Sequence, residues 1–404
     1  MDIYVSALLA AEAVFALFLL YKAGLLTSAP RLLLSIVLTA AAFVLRAALF
    51  DHETLDYQNF LTVWVDFFRR HGGFRALNTP VGNYNIPYLY FLALFSYSGI
   101  RDLYLIKLLS VFFDVVLAYA AMQLVGKCTQ SDRKRLFCFF AVLFTPTVVL
   151  NGALWGQCDS TYTALAVLGI YLALDDRPAL SMMSIALSFG FKLQAVFVMP
   201  VYAVLWMYGK FSWKHFLIFP LSYVLLVLPA VLLCRPFLET LTLYFNQTGS
   251  IGSGLNYNSP SVFALIRGAV NEQAASKIAI LAAFIYMCVV LFAALLRYDR
   301  LSDRSIVAMA VLFAIGIPFL LPHMHDRYFF ASDVLTLVMG CCVPLCFPAA
   351  LLAQFASLLG YHAYLRMRYF LPMSYGACAL VISMVIAVFF WRGSLKPKKI
   401  KKAY

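Results

Sequence analysis

Apolar runs of roughly bilayer length follow one another through this chain, at 3–22, 31–50, 102–125, 136–153, 160–175, 214–233, 275–297, 305–321, 328–346 and 371–391. A helix that crosses the hydrocarbon core needs about 20 such residues, since each residue advances it by about 1.5 Å. A longer run, 179–208, is interrupted around Gly190 and Lys192 and reads as two helices meeting in a turn. Residues 347–363 form a weaker candidate. The 404 residues are 64% apolar and 12% charged, whereas a soluble domain carries about 45–50% and about 25%. No globular core hides that much apolar surface, so lipid is the solvent for most of it. The expected fold class is an all-α polytopic membrane protein of about 11–13 transmembrane helices, forming one membrane domain over 1–404.

The net charge of +13 comes from basic residues scattered over short loops and a tail. That distribution excludes a nucleic-acid interface and instead sets topology, because Lys and Arg collect on the cytoplasmic side. Lys22 and Arg31 flank one turn. Lys127, Arg133, Lys134 and Arg135 form a second basic loop, Lys210 and Lys214 a third, and Arg297, Arg300 and Arg304 a fourth. The tail, 392–404, carries Lys396, Lys398, Lys399, Lys401 and Lys402, suited to anionic headgroups. Placing all of these inside gives an outer N-terminus, a cytoplasmic C-terminus and an odd number of spans. Met1-Asp2-Ile3-Tyr4 lacks the basic region of a cleaved signal, so the first run is expected to stay as a membrane helix.

Two polar segments then fall outside, at 51–101 and 235–260. The first holds an amphipathic stretch, 56–70, with Tyr57, Phe60, Trp64, Phe67 and Phe68 at helical spacing. Such a stretch is expected to lie flat in the headgroup layer. The second is rich in Gly, Ser and Asn and contains the sequon Asn246-Gln247-Thr248, a pattern common by chance. The nine cysteines sit mostly in apolar runs without paired spacing, so neither a disulfide framework nor a zinc site is expected.

An ionisable group inside a membrane segment costs about 2.5–3.5 kcal/mol on insertion scales and needs a reason. Polar residues gather at the junctions that the charge rule places outside: Asp51, Glu53 and Asp56; Asn83, Tyr84 and Asn85; Trp155, Gln157 and Asp159; Lys192 and Gln194; Asn256 and Asn258; His323, His325, Asp326 and Arg327. Each has a plain structural alternative. The first carboxylates suit a solvated loop, and Asp56 an N-cap. Trp155 suits an aromatic belt, and Lys192 can snorkel. His323 and His325 have the spacing of a metal pair, although two histidines alone are a weak signal and phosphate binding with Arg327 is the stronger reading. A transporter would place such groups near the midplane. An enzyme acting on a lipid headgroup needs them at one interface, which is the pattern here.

Taken in order, these motifs resemble the polytopic mannosyltransferases related to the second GPI mannosyltransferase, including bacterial relatives. Asn151-Gly-Ala-Leu-Trp155-Gly-Gln157-Cys-Asp159-Ser160 resembles that family's Trp-Gly-Gln-x-Asp block, and Asp56-Tyr-Gln-Asn-Phe60-Leu-Thr-Val-Trp64 its first outer loop. Asn83-Tyr84-Asn85-Ile86-Pro87-Tyr88 is similar to its Tyr-Pro-Pro stretch, Phe191-Lys192-Leu193-Gln194 to its Phe-Lys-x-Gln turn, and Met324-His325-Asp326-Arg327-Tyr328 to its Met-His-Glu-Arg-Tyr block. Asn83 stands where an acidic residue is frequent, Ile86 replaces a Pro, and Asp326 replaces Glu. The helix at 3–22 and the tail helices lie outside the match. The resemblance implies a C-type glycosyltransferase fold, a polyprenyl-phosphate sugar donor, action on the outer face, and Asp56 as catalytic base.

Transfer from a lipid-phosphate sugar needs a base for the acceptor hydroxyl and cations for the departing phosphate. Asp56 is the expected base, with Asp51 and Glu53 as weaker candidates. Lys192, Arg327, His323 and His325 are the expected phosphate binders. Asn83, Asn85, Trp155, Gln157, Asp159, Gln194 and Asp326 are expected to position sugar or acceptor, and the amphipathic helix from Asp56 with the aromatic run 84–91 to guide the prenyl chain. A single displacement inverts the anomeric centre onto a glycan or glycolipid acceptor. No cofactor is required, and a divalent metal is compatible with this chemistry. The rival readings are a lipid-linked sugar flippase or exporter, and a non-catalytic subunit of a glycan-assembly complex.

Overall fold

The computed structural model describes residues 2–244, 254–266 and 271–397. It is 77% helical, as an all-α membrane protein requires. The helices are α1 (Ile3–Lys22), α2 (Ala29–Ala47), α3 (Thr62–Arg70), α4 (Ile86–Phe95), α5 (Asp102–Cys128), α6 (Asp132–Phe144), α7 (Pro146–Val149), α8 (Asp159–Leu174), α9 (Pro178–Phe191), α10 (Val201–Met207), α11 (Ile218–Leu232), α12 (Phe237–Leu241), α13 (Glu272–Leu295), α14 (Asp303–Leu320), α15 (Phe330–Cys342), α16 (Phe347–Leu365) and α17 (Met373–Ser394). Two-residue strands, β1 (Asn256–Tyr257) and β2 (Met324–His325), pair in parallel.

Among the described residues, eight helices are long and apolar enough to cross a membrane, or nine if the 46° bend between Asp132–Phe144 and Pro146–Trp155 is one broken span. This is fewer than the run lengths suggested. The runs at 160–175, 179–208 and 328–346 fold as helices of 16, 14 and 13 residues, α8, α9 and α15, with a 3-10 turn and the short α10 after α9. α8 begins at the buried Asp159, α9 stops at the buried Lys192, and α15 stops two residues before Pro344, which disfavours a helical residue ahead of it. The weak candidate at 347–363, by contrast, is the full helix α16.

Burial separates core from periphery. In α5 and α14, 67% and 78% of the spanning window is inside the protein, against 22% in α1, α11 and α13. Around α5 pack α8, α6, α1 and α15, and α14 is enclosed by α13, α15 and α17. The peripheral helices expose rows of Leu, Ile, Val and Phe, for example Ile278, Leu281, Phe284 and Ile285 on α13. A water-soluble protein rarely shows an apolar face of that extent, so the bilayer is its cover.

The basic turns meet at one end of the bundle. Lys127 Nζ lies 2.5 Å from Asp175 Oδ1, and Lys210 Nζ 2.7 Å from Asp176 Oδ1. Arg304 Nε donates to the Cys128 carbonyl at 2.9 Å, Lys134 Nζ to that of Cys342 at 3.0 Å, and Arg300 Nε to that of Lys396 at 2.8 Å. Lys398, Lys399, Lys401, Lys402 and the sequon at Asn246 lie outside the described residues.

The amphipathic stretch begins with a π-helical turn, Tyr57–Leu61, before α3. The wider turn rotates the inner face to Tyr57, Leu61, Trp64, Val65 and Phe68, leaving Phe60 exposed rather than buried with them. Asp56 is not the N-cap expected of it: its backbone is already helical and its carboxylate makes no capping bond.

Candidate active site

The approach to Asp56 is fixed by a lysine inside α5. Lys107 Nζ donates to the carbonyls of Leu49, Phe50 and His52 at 3.0, 2.9 and 2.6 Å, closing the end of α2. Thr54 Oγ1 then donates to the Trp155 carbonyl at 3.2 Å. Asp56 thereby lands beside Trp155 and Gln157, and its Oδ2 accepts from Trp155 Nε1 and Gln157 Nε2, each at 2.8 Å. Trp155 is fully buried, stacked on Tyr364 at 4.3 Å and edge-on to Tyr361 at 5.3 Å. It is therefore not an aromatic-belt residue. Gly156, at φ +77°, reverses the chain so that Gln157 returns to the same side as Trp155, a turn that glycine adopts without Cβ strain.

Asp159 opens α8 and is fully buried. Its Oδ1 lies 2.5 Å from Lys192 Nζ, and its Oδ2 accepts from Asn151 Nδ2 at 2.8 Å. Asn151 also donates to Tyr361 Oη at 3.0 Å, so α16 holds the same group. Lys192 does not snorkel outward; it is buried at the end of α9, with the Tyr84 ring 5.9 Å away. Tyr84 in turn donates to Gln157 Oε1 at 3.0 Å.

Arg327 joins the two carboxylates. Its guanidinium is 3.9 Å from Asp56 Oδ2, 3.7 Å from Asp159 Oδ2 and 3.5 Å from Asp326 Oδ1, with its centre 5.2 Å from the Trp155 ring. These distances are those of ion pairs rather than of hydrogen bonds. Arg327 Nε and Asp326 Oδ1 are both buried without a hydrogen-bond partner among the described residues. Burial pushes the Asp326 carboxyl up to about 7, against the pull of Arg327. The side chains of Asp56 and Arg327 are 20% and 18% exposed whereas that of Asp159 is 0%, so a ligand meets the first two directly.

The remaining expected residues divide. Gln194, in the 3-10 turn after Lys192, is buried with Oε1 unpartnered among the described residues. His325 lies against Tyr257, 4.7 Å away and nearly parallel. Burial, with Arg327 and Lys192 nearby, lowers its pKa to about 4. It is then neutral at neutral pH, and its expected role as a phosphate cation becomes that of a neutral donor. His323 has both ring nitrogens occupied, Nδ1 2.8 Å from the Gly254 carbonyl and Nε2 3.3 Å from Ser276 Oγ. These contacts join the β1 loop to α13. Among the described residues no three His, Cys, Asp or Glu side chains gather to hold a metal ion.

Asn85 caps α4 through the Ile86 N–H at 2.9 Å and donates to Tyr223 at 3.1 Å, a structural task. Asn83 is exposed in the loop before it. Asp51 accepts from Tyr104 at 2.7 Å, which lowers its pKa. Glu53 is held by Gln58 and by Arg101, and both bonds lower its pKa. Neither carboxylate has the Trp155 and Gln157 donors that single out Asp56.

Several residues of the site escaped the motif reading. Arg46 donates from Nε and Nη2 to Asp114 Oδ2 at 3.1 and 2.9 Å, with both side chains fully buried. Ser160 donates to Asp114 Oδ1 at 2.5 Å, and Ser110 to the Gln157 carbonyl at 2.7 Å, so this ion pair underlies the 157–160 backbone. The signal was present: Arg46, Lys107 and Asp114 are ionisable groups inside the apolar runs 31–50 and 102–125, where each carries the same insertion cost. No protein-family profile matches the chain, and no curated protein matches it.

Proposed function

We propose that the chain is a membrane hexosyltransferase of the C-type fold, resembling the mannosyltransferases related to the second GPI mannosyltransferase. It moves a hexose, a mannose by that resemblance, from a polyprenyl phosphate to a glycan or glycolipid acceptor. The observation that carries the reading is the placement of Asp56, a partly exposed carboxylate fixed by two neutral donors and set 3.9 Å from a cation. In the reaction, Asp56 takes the proton of the acceptor hydroxyl as its oxygen bonds to the anomeric carbon. The bond from that carbon to the phosphate oxygen breaks on the opposite face, giving inversion and releasing polyprenyl phosphate. The Nε of Arg327, which makes no hydrogen bond among the described residues, and the Lys192 ammonium supply positive charge to the departing oxygens. Gln157, Gln194 and Asp326 offer polar atoms to sugar hydroxyls.

The site sits at the outer face in this reading, with the N-terminus outside and the C-terminus cytoplasmic. Support comes from the gathering of the basic turns at one end of the bundle, among helix ends that do not contribute to the Asp56 cluster. The test is to reconstitute the protein with radiolabelled polyprenyl-phosphate hexoses and lipid extract, and to follow released polyprenyl phosphate and labelled acceptor. One donor should be consumed by the native protein, and Asp56→Asn should lose about 10²–10⁴-fold in rate, the range of general-base catalysis. Movement of intact donor across the bilayer without cleavage would identify a flippase instead.

A further inference from the structure

Behind a π-helical turn, Leu150–Trp155, lies a cavity of about 810 Å³. Its inner wall is apolar, formed by Leu150, Leu154, Phe355, Leu358 and Leu359, and its mouth carries His52, His362 and Arg366. The order along α16 is the informative part. From Phe355 to Leu365 the helix advances ten residues, about 15 Å, which is one leaflet of a hydrocarbon core about 30 Å thick. The polar groups gather toward the far end of that stretch: His362 lies in the last turn of α16, Arg366 follows its last helical residue, and His52 follows the end of α2. The cavity thus has the layout of a lipid, with chains along one leaflet and a headgroup at the rim.

The rim also selects charge. Arg366 is exposed and has no carboxylate within ion-pair distance among the described residues. Glu53, the acid beside His52 in sequence, is taken by Arg101. His362 Nδ1 is occupied by the Arg368 carbonyl at 3.0 Å, which places a second arginine in the same turn. An uncompensated guanidinium at the end of an apolar slot suits an anionic headgroup, because a phosphate accepts two parallel N–H bonds from it. We infer that this cavity holds one anionic phospholipid of the surrounding bilayer, its phosphate at Arg366 and its chains along Leu358 and Leu154. The site is separate from the Asp56 cleft, yet Tyr361 borders both: it lines the cavity and receives the Asn151 bond that anchors Asp159. A bound lipid therefore braces the wall on which the polar cluster is built. The inference depends only on membrane embedding, not on sugar transfer.

The experiment uses the full chain in phosphatidylcholine vesicles doped with a photoactivatable phosphatidylglycerol or a photoactivatable phosphatidylcholine, with labelled peptides mapped after cleavage. The phosphatidylglycerol probe should label 355–366 and 150–154 at least fivefold more than the phosphatidylcholine probe. Arg366→Glu should remove that preference. Leu358→Trp, which fills the slot from its apolar side, should reduce labelling by both probes, and unchanged melting temperatures would exclude unfolding as the cause. Equal labelling by the two probes, or labelling indifferent to both variants, overturns the inference. Competition by polyprenyl phosphate but not by unlabelled phosphatidylglycerol also overturns it, because the slot would then belong to a sugar donor.

Discussion

Trp155 gives its indole N–H to the same carboxylate oxygen of Asp56 that Gln157 engages, so two neutral donors fix the most exposed acid of the cluster. A charge-assisted bond of this kind is worth about 1.5–3 kcal/mol. Trp155→Phe keeps the ring on Tyr364 and Tyr361 but removes that donor. The expected result is a fall in kcat of about tenfold or more, since about 1.4 kcal/mol corresponds to a factor of ten, with KM little changed. Initial rates of polyprenyl phosphate release at several acceptor concentrations check it. A KM effect alone would place Trp155 in ligand binding instead.

Lys192 and Asp159 form the most buried ion pair of the cluster, and their energetics separate from catalysis in a double-mutant cycle. Removing one partner of a buried pair costs about 3–5 kcal/mol because the other charge is stranded. Lys192→Met should therefore lower the melting temperature more than Lys192→Met combined with Asp159→Asn, which leaves no stranded carboxylate. Arg327, 3.7 Å from Asp159, softens the single-variant loss without abolishing it. Thermal unfolding in micelles measures all four corners, and strict additivity would deny the coupling.

The pairing of residues so far apart in sequence shows why the site was only half legible there. Lys192, Asp159 and Arg327 stood out because a charge next to an apolar run needs a partner, and the folded chain supplies each with one. Tyr361 and Tyr364 carry no charge and lie in the weak run 347–363 or just after it, so nothing in the pattern marked them, although Tyr361 receives the Asn151 bond and Tyr364 stacks on Trp155. His323 stood out from spacing alone, and spacing along two residues says nothing of the Gly254 carbonyl that its Nδ1 meets in the fold. The run lengths were less decisive: α8, α9 and α15 are apolar but only 16, 14 and 13 residues long, because their ends fall at polar residues or at a Pro that hydropathy alone does not weigh.

Asp326 and His325 predict a composite pH dependence of stability. A carboxyl at about 7 in the fold and near 3.8 unfolded holds a proton that the unfolded chain has released, so its contribution falls as pH rises through that window. An imidazole at about 4 in the fold and near 6.5 unfolded does the reverse, and its contribution is lost as pH falls from 6.5 toward 4. The two oppose each other at mildly acid pH. Asp326→Asn should leave the histidine effect alone, giving a melting temperature that rises more steeply between pH 4.5 and 6.5 than in the native protein. Parallel melting curves for the two proteins across this range would show that Asp326 titrates normally.

Orientation is open to direct labelling. Arg69 is exposed at the end of α3, the helix that continues from the Asp56 turn, and Arg133 is exposed in the basic turn that follows α5. With Cys234, Cys288 and Cys378, the exposed native thiols, replaced by Ser, Arg69→Cys should react with an impermeant maleimide on intact cells. Arg133→Cys should react only after permeabilisation. The opposite pattern would move the proposed chemistry to the cytoplasmic face.

Gly360 links the geometry of Arg327 to the packing of α16. A Cβ there would lie 2.8 Å from the carbonyl oxygens of both Asn258 and Asp326 and 3.1 Å from the Asp326 Cα. Comfortable contact begins near about 3.5 Å, and these are backbone atoms that no rotamer change can withdraw. Gly360→Ala must therefore push the 326–327 segment away from the helix by several tenths of an ångström. Overpacking of this kind costs about 1–3 kcal/mol, and a misplacement approaching 1 Å at a catalytic group costs about a hundredfold in rate. The expected outcome is a modest drop in melting temperature with a disproportionate loss of transfer, because the displaced residue is the cation that faces Asp56. Gly393→Ala, with nothing within 4 Å of its added carbon, should change neither and serves as the control. If Gly360→Ala retained full activity, the position of Arg327 would not matter to the reaction, and its assignment to the departing phosphate would fall.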